Sequence, residues 1–431
     1  GCSFFFFLRI YSGRNLQPIP LLPVLISLGK DARRFFLLYG HTPIFIALLV
    51  LFLSIPAVLG LILKNQTTMK NLENRNMTVF PPYKLFKEKP ADYIKGVDDY
   101  VKDHVGFRQE ANEAYRKLRY YVFKDPPLQN ITIGKDGHVF LQSFQVTKKD
   151  TVYQVLCEDQ SAPTPQLTDS VNNILSHASH YYASRGYKTI FALVPSTPVI
   201  YPDKLPLNVD KKYRDACLAY GKNDNLLKQL LRRSAAERKY TLFYPYELFY
   251  QHKNEPYFFP KERYHWTGKS TYLFTRTLLK DTGVTETLQL NDPSKVAQVK
   301  DDLATFFGFN RPIMGYDYPY ANRPTKMQDL EWLSQYSKYG TLIHYTTENS
   351  LTQKKALLLG NSFTIDFAPH LARAFHEMDY VNLNVIQQNE IEEVFAKLPE
   401  HLHPDYIFFV YDDTHTGELP KSLAAFQKLD Q

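Results

Sequence analysis

Between Lys188 and Tyr411 short apolar runs alternate with amphipathic stretches of ten residues or more. Residues 188–194, 240–244, 356–359, 380–385 and 406–411 have the length and apolar density of buried strands. Residues 170–185, 222–239, 266–279 and 389–398 have helical spacing. Strands apolar at consecutive positions need cover on both faces, which parallel sheets obtain from the helices that link their strands. The alternation therefore predicts an α/β domain of three layers with a mostly parallel sheet. Ahead of it, residues 92–122 carry two helical patterns separated at Gly106. The runs 131–133 and 138–141 flank Gly134-Lys-Asp-Gly137, a hairpin signature.

Residues 42–63 carry no charge and are long enough to cross a bilayer. Lys30, Arg33 and Arg34 precede that span, so the positive-inside rule keeps residues 1–41 in the cytoplasm and exports the chain beyond residue 63. The expected division is a cytoplasmic segment (1–41), a transmembrane helix (42–63), a linker (64–91) and an exported domain (92–431). This localises the chain to the inner membrane as a single-pass protein, its C-terminal domain in the periplasm or outside. The net charge of +7 is in large part membrane-flanking, and no basic motif with interleaved aromatics points to nucleic acid. Three cysteines are too few for a disulfide framework, although one bridge between Cys157 and Cys217 is open. His401, His403 and His415 lack further ligands in register and read as surface histidines, so neither metal nor cofactor is expected.

The chemistry centres on Leu357–Phe363. A buried strand breaks at Gly360, and Asn361-Ser362-Phe363 opens onto a helix pattern (Ile365, Ala368, Leu371, Ala372, Phe375). The carboxyl ends of strands are where α/β sheets present reactive groups, and backbone N–H groups at such a turn can hold an oxyanion. Ser362 is thus a candidate nucleophile, although most Gly-x-Ser triplets are plain turns. Asp301-Asp302 looks like a metal pair, but adjacent acids point to different sides, and a helix N-cap is the better reading. Asp412, at the end of the last strand, is a further carboxylate at the ligand-bearing edge.

The blocks Glu73-Asn-Arg75, Asp103-His-Val-Gly-Phe-Arg108, Gly134–Phe140, Tyr201-Pro-Asp-Lys-Leu-Pro206, His265-Trp-Thr-Gly268, Asp302-Leu-Ala304 and Gly360–Phe363 succeed one another in a recognisable order. In this the chain resembles the alginate O-acetylation proteins of AlgJ and AlgX type, from roughly Leu72 to Val410. The resemblance implies an exported SGNH-hydrolase-like (flavodoxin-like) domain that acetylates polysaccharide hydroxyls through a serine acyl-enzyme. It makes Ser362 the nucleophile and His265 the base, with Asn361, Tyr201 and Trp266 as candidate substrate-binding residues. It also implies a polysaccharide acceptor and a membrane-bound O-acyltransferase that supplies the acetyl group.

One departure matters. The acid of the family's triad falls on Arg263, and an arginine there favours neutral imidazole, opposing the acid's role. Glu262, next to the vacant position, is the expected substitute, and Asp at position 263 is expected to raise turnover. Two readings stand at this point: an O-acetyltransferase or acetylesterase with a substituted acid, or a catalytically degenerate polysaccharide-binding scaffold.

Overall fold

The structure is a computed structural model. It describes isolated positions between 46 and 54, then residues 78–104, 108–125, 130–143, 148–159, 163–284, 295–317, 324–327, 342–386, 390, 393–416 and 423. The chain divides into two compact units, Gly1–Ala114 and Tyr115–Gln431. In the first, helices α1 (Tyr83–Glu88) and α2 (Pro90–His104) come after an extended stretch. Thr78 ties that stretch down, its N–H and hydroxyl donating to the Asp103 carboxylate at 2.9 and 2.7 Å. Most of the uncharged span 42–63 lies outside the described residues; Ile46, Leu48–Leu51 and Ser54 within it are helical. Among the described residues no helix is long and apolar enough to cross a membrane.

The boundary between the units falls within helix α3 (Arg108–Tyr121). The second unit opens with an antiparallel hairpin, β1 (Ile131–Ile133) and β2 (Val139–Leu141), as expected. Helix α4 (Pro165–Ser184) starts at Thr164, whose hydroxyl accepts from the Leu167 N–H at 3.2 Å, a cap worth about 1 kcal/mol. Its buried residues Thr168, Val171, Leu175, Ala178 and Tyr182 recur at three- and four-residue intervals, the stripe that drives it onto the sheet.

Strands β3 (Lys188–Val194) and β4 (Thr241–Phe243) come next. A separate antiparallel pair comes after them, β5 (Lys295–Val299) with β6 (Ile313–Asp317). Then come β7 (Thr325–Met327), β8 (Ile343–Thr346), β9 (Thr352–Gly360), β10 (Phe375–Asn382) and β11 (Tyr406–Asp412). Among the described residues seven of these form one sheet in the order β4-β3-β11-β9-β10-β8-β7. The first five run parallel, and β8 and β7 close one edge antiparallel. Residues 189–194, 356–360 and 407–412 are buried at every position, so both faces of the sheet are covered. The result is a mixed α/β domain with a mostly parallel central sheet.

Element bounds differ from the sequence pattern where polar residues intervene. The helix expected over 222–239 is only Leu226–Arg232, because Ser234 and Glu237 bond each other in a turn of their own. Before it, Lys211–Ala219 forms a helix that places Cys217 opposite Cys157, and the two are joined with their Cα atoms 4.8 Å apart. The helix expected after Ser362 is a single tight turn, Ser362–Thr364, then the short Ala368–Ala372.

Candidate active site

The strand order sets the site. From β3 the chain moves outward to β4, from β9 it moves the other way to β10, and β11 lies between them. Their carboxyl ends therefore flank the switch point at which open α/β sheets build ligand sites. Gly360 is required there: a Cβ would meet the Val410 carbonyl oxygen at 2.2 Å and the Thr364 methyl at 2.4 Å. This close approach lets the Asn361 N–H donate to the Val410 carbonyl at 3.3 Å and turns the chain at Ser362.

Ser362 sits half-buried at the start of that turn. Its Oγ lies 2.9 Å from His265 Nε2, although 97 positions separate the two residues. On the other side of the ring, His265 Nδ1 lies 2.7 Å from Asp302 Oδ2. The backbone N–H of His265 donates to the same oxygen at 2.8 Å, so the acid fixes both the ring and the main chain of the base. A carboxylate on Nδ1 makes Nδ1 the protonated nitrogen and leaves Nε2 to accept from the serine.

The acid of this chain of hydrogen bonds is Asp302; the motif pattern puts the acid's position on Arg263 and leaves Glu262 as the substitute, and neither takes the role. Glu262 contributes its carbonyl instead, accepting from Arg311 Nη2 at 2.8 Å. The Asp301-Asp302 doublet divides its labour, as side chains on opposite sides must. Asp301 is not the helix N-cap expected of the pair, since the helix Ala304–Phe307 starts at Leu303 with no side-chain cap. It closes the turn ahead of that helix, accepting from the Leu303 N–H at 3.0 Å, and is clamped by Arg311, whose Nε and Nη2 donate at 2.9 and 2.6 Å. Arg311 thereby joins the acid's loop to the segment that carries the base. Asp302 is left to face the imidazole.

Arg263 is buried, 3% exposed, and stands between two acids. Its Nη2 donates to Asp366 Oδ2 at 2.7 Å, and its Nε lies 3.5 Å from Asp302 Oδ1. Burial alone would raise the Asp302 pKa. The bonds from His265 and the nearby Arg263 charge outweigh it and hold Asp302 below the usual carboxylate range, ionised for its role.

The three candidate substrate residues sit differently. Asn361 is fully buried; its Nδ2 donates to Asp412 Oδ1 at 2.6 Å and its Oδ1 accepts from the Phe363 N–H at 3.2 Å. It shapes the serine turn and presents nothing to a ligand. Trp266 is also fully buried, its indole N–H donating to the Phe363 carbonyl at 2.6 Å while Phe367 stacks at 5.7 Å. It pins the base segment to the nucleophile turn from beneath. Gly268, two residues on, has φ +63°, and a Cβ there would lie 2.5 Å from the Tyr316 carbonyl oxygen. Tyr201 lines a cleft with His138 and Lys253, but its hydroxyl is committed to the Lys253 carbonyl at 2.9 Å.

Behind the serine turn lies a polar cluster that the sequence pattern does not reveal. Asp412, fully buried, accepts from Asn361, from the Thr414 N–H at 3.2 Å and from His415 Nδ1 at 2.5 Å. His415 is therefore a half-buried partner of Asp412 rather than a surface histidine. Burial would raise the Asp412 pKa, but His415, Thr414 and Asn361 hold it below its ordinary value. Its neighbour Asp413 accepts from the Ser196 N–H at 3.1 Å and the Tyr244 hydroxyl at 2.8 Å. Burial pushes Asp413 up to about 7, despite the bond from Ser196, and the Asp412 charge adds to the rise. The one signal for this cluster is Tyr-Asp-Asp at a strand's carboxyl end. No local pattern records its partners.

No family model and no curated protein matches the chain. Several solved structures are similar. Bacillus cereus PatB1 with a sulfonyl adduct shares 16% identity, covering 60% of this chain and 93% of its own, with a TM-score of 0.42. The O-acetyltransferase domain of Pseudomonas putida AlgJ shares 14%, covering 67% and 92%, with a TM-score of 0.41. Pseudomonas aeruginosa AlgX shares 12%, covering 71% and 66%, with a TM-score of 0.38. The last two are of the kind the sequence resembles; at such identities the chemistry of this chain rests on its own residues.

Proposed function

We propose that this chain is a serine acyl-transfer enzyme, an O-acetyltransferase that moves acetyl groups onto the hydroxyls of an envelope or extracellular polysaccharide. The observation that carries the reading is the unbroken hydrogen-bond chain from Ser362 through His265 to Asp302 at the carboxyl edge of the sheet. In the first half-reaction Ser362 Oγ attacks the carbonyl carbon of an acetyl ester, and its proton passes to His265 Nε2. Asp302 stabilises the imidazolium that forms. The N–H of Ser362 has no hydrogen-bond partner among the described residues and is free to donate to the oxyanion. Collapse of the tetrahedral intermediate expels the donor alcohol, which takes the proton from His265, and leaves acetyl-Ser362. In the second half a sugar hydroxyl attacks that ester, gives its proton to His265 Nε2, and leaves acetylated while Ser362 recovers its proton.

The uncharged span 42–63 would hold the catalytic unit at the outer face of the inner membrane, beside a membrane-bound O-acyltransferase that hands out acetyl groups. A reporter fused after Gln431 tests this topology: activity only in the cytoplasm would overturn it. The chemistry is tested by incubating the purified chain with p-nitrophenyl acetate and an oligosaccharide acceptor. Ser362-dependent acetylation of the sugar is expected. Serine-dependent release of acetate without sugar acetylation would make the enzyme an esterase, and no serine-dependent turnover would leave only a binding role.

A further inference from the structure

Beside the catalytic segment lies a cleft of about 520 Å³ that includes Tyr201, Tyr257, Phe259 and Met314 in its walls. Glu262 lines it too, three residues from His265, so chain geometry keeps their Cα atoms within about 11 Å. Its size suits a ligand of a few sugar rings. At its edge Tyr257 is held at φ +55° yet leaves 39% of its surface exposed. Left-handed backbone is rare for a bulky aromatic, and such strain persists where the surrounding structure enforces it, often at binding sites. Here it is enforced between Pro256 and Pro260, with the ring edge-on to Tyr316 at 5.7 Å. An exposed ring fixed in this way offers a flat apolar face at little further entropic cost.

The charges around it balance. Lys204, Lys253 and Lys261 face Asp203, Glu255 and Glu262. Asp203 lies 3.3 Å from Lys253 Nζ and 3.6 Å from Lys204 Nζ. Among the described residues the side chains of Lys261 and Glu262 make neither hydrogen bond nor ion pair, leaving a donor and an acceptor for a ligand. A polyanion gains little from a lining whose charges cancel, whereas a neutral polyol uses ammonium groups as donors and carboxylates as acceptors.

We propose that this cleft is a subsite for an uncharged pyranose chain, one sugar ring stacking on Tyr257 while Lys261 and Glu262 bond its hydroxyls. The inference rests on the function proposed above only in naming that chain the acetyl acceptor. Calorimetric titration of the full chain with cellohexaose, maltohexaose and chitohexaose, and with hexagalacturonate as the acidic counterpart, tests it. At least one neutral hexasaccharide is expected to bind, and more tightly than the acidic one. Tyr257→Asn, which keeps a residue tolerant of the left-handed backbone, should weaken that binding about tenfold or more, and Tyr257→Phe should restore it. Absence of binding by all three neutral sugars, preference for hexagalacturonate, or unchanged affinity in a folded Tyr257→Asn protein would overturn it. Binding is read without turnover, so a lack of serine-dependent activity would defeat the catalytic reading and leave this result standing.

Discussion

Replacing Asp302 by Asn tests the hydrogen-bond chain where sequence and structure disagree. The substitution keeps shape and removes one charge. Asp302 Oδ2 accepts from both the backbone N–H and Nδ1 of His265, at 2.8 and 2.7 Å. With the amide oxygen in that place both bonds survive, but the imidazolium loses its counter-charge. Two unit charges about 4 Å apart interact by about 4 kcal/mol at the effective dielectric of such sites, or about a thousandfold in rate. With the amide rotated, its NH₂ faces Nδ1 and forces the proton onto Nε2, which can then no longer accept from Ser362. That tautomer carries a penalty of about four orders of magnitude in serine proteases. The expectation is therefore a fall in kcat of about a thousandfold or more on p-nitrophenyl acetate. KM should hardly move, because the side chain of Asp302 is 11% exposed and reaches substrate only through His265. A variant within tenfold of the wild type would refute the reasoning and return the acid's role to another carboxylate.

The same geometry sets other outcomes. Glu262→Gln should leave turnover of the small ester within about twofold, since Glu262 meets the catalytic residues only through its carbonyl on Arg311 and its side chain faces the sugar cleft, which the small ester does not need. Arg263→Asp, which the sequence alone recommends as a repair, should instead lower stability by about 3 kcal/mol or more in chemical denaturation and give no gain in turnover. It removes the shared cation of Asp302 and Asp366 and adds a third carboxylate. Asp413 has a folded pKa raised to about 7 from 3.8, so between those values the unfolded chain has released a proton that the folded chain still holds. Stability should thus fall as pH rises through that window, by at most about 4 kcal/mol, and Asp413→Asn should flatten the dependence in urea unfolding at several pH values. Replacing Cys157 and Cys217 with Ser opens a loop of 60 residues and should remove about 4 kcal/mol by the chain-entropy account, read as a lowered Tm.

The parts of the molecule legible in the sequence are those in which burial writes a continuous apolar run. Residues 189–194, 356–360 and 407–412 are buried on both faces of their strands, and they fix the sheet and the place of Ser362. The antiparallel side of the sheet escapes a pattern search because Ile343–Thr346 and the edge strand Thr325–Met327 are short and partly polar. His265 and Ser362 stand out through motif blocks and lie in contact. Asp302 stands in a block too, Asp302-Leu-Ala304, but its role as the acid does not show there, because it depends on a loop that Arg311 folds back toward the base, a pairing of distant residues no local pattern records. The sequence does hold one clue. Two adjacent acids cannot both cap one turn, and the second needs a partner elsewhere. Asn361 and Trp266 mislead for a related reason: residues flanking a reactive group look like ligand contacts until burial shows them supporting it from below.

The central claim is that Ser362 carries the acetyl group. The most direct measurement is mass spectrometry of the protein quenched in acid during turnover of p-nitrophenyl acetate, followed by peptide mapping. The account predicts one acetyl group per chain on the peptide containing Ser362, absent from Ser362→Ala and strongly reduced in His265→Ala, which lacks the base that activates the serine. An acetyl group on another residue, or turnover that persists in Ser362→Ala, would contradict it.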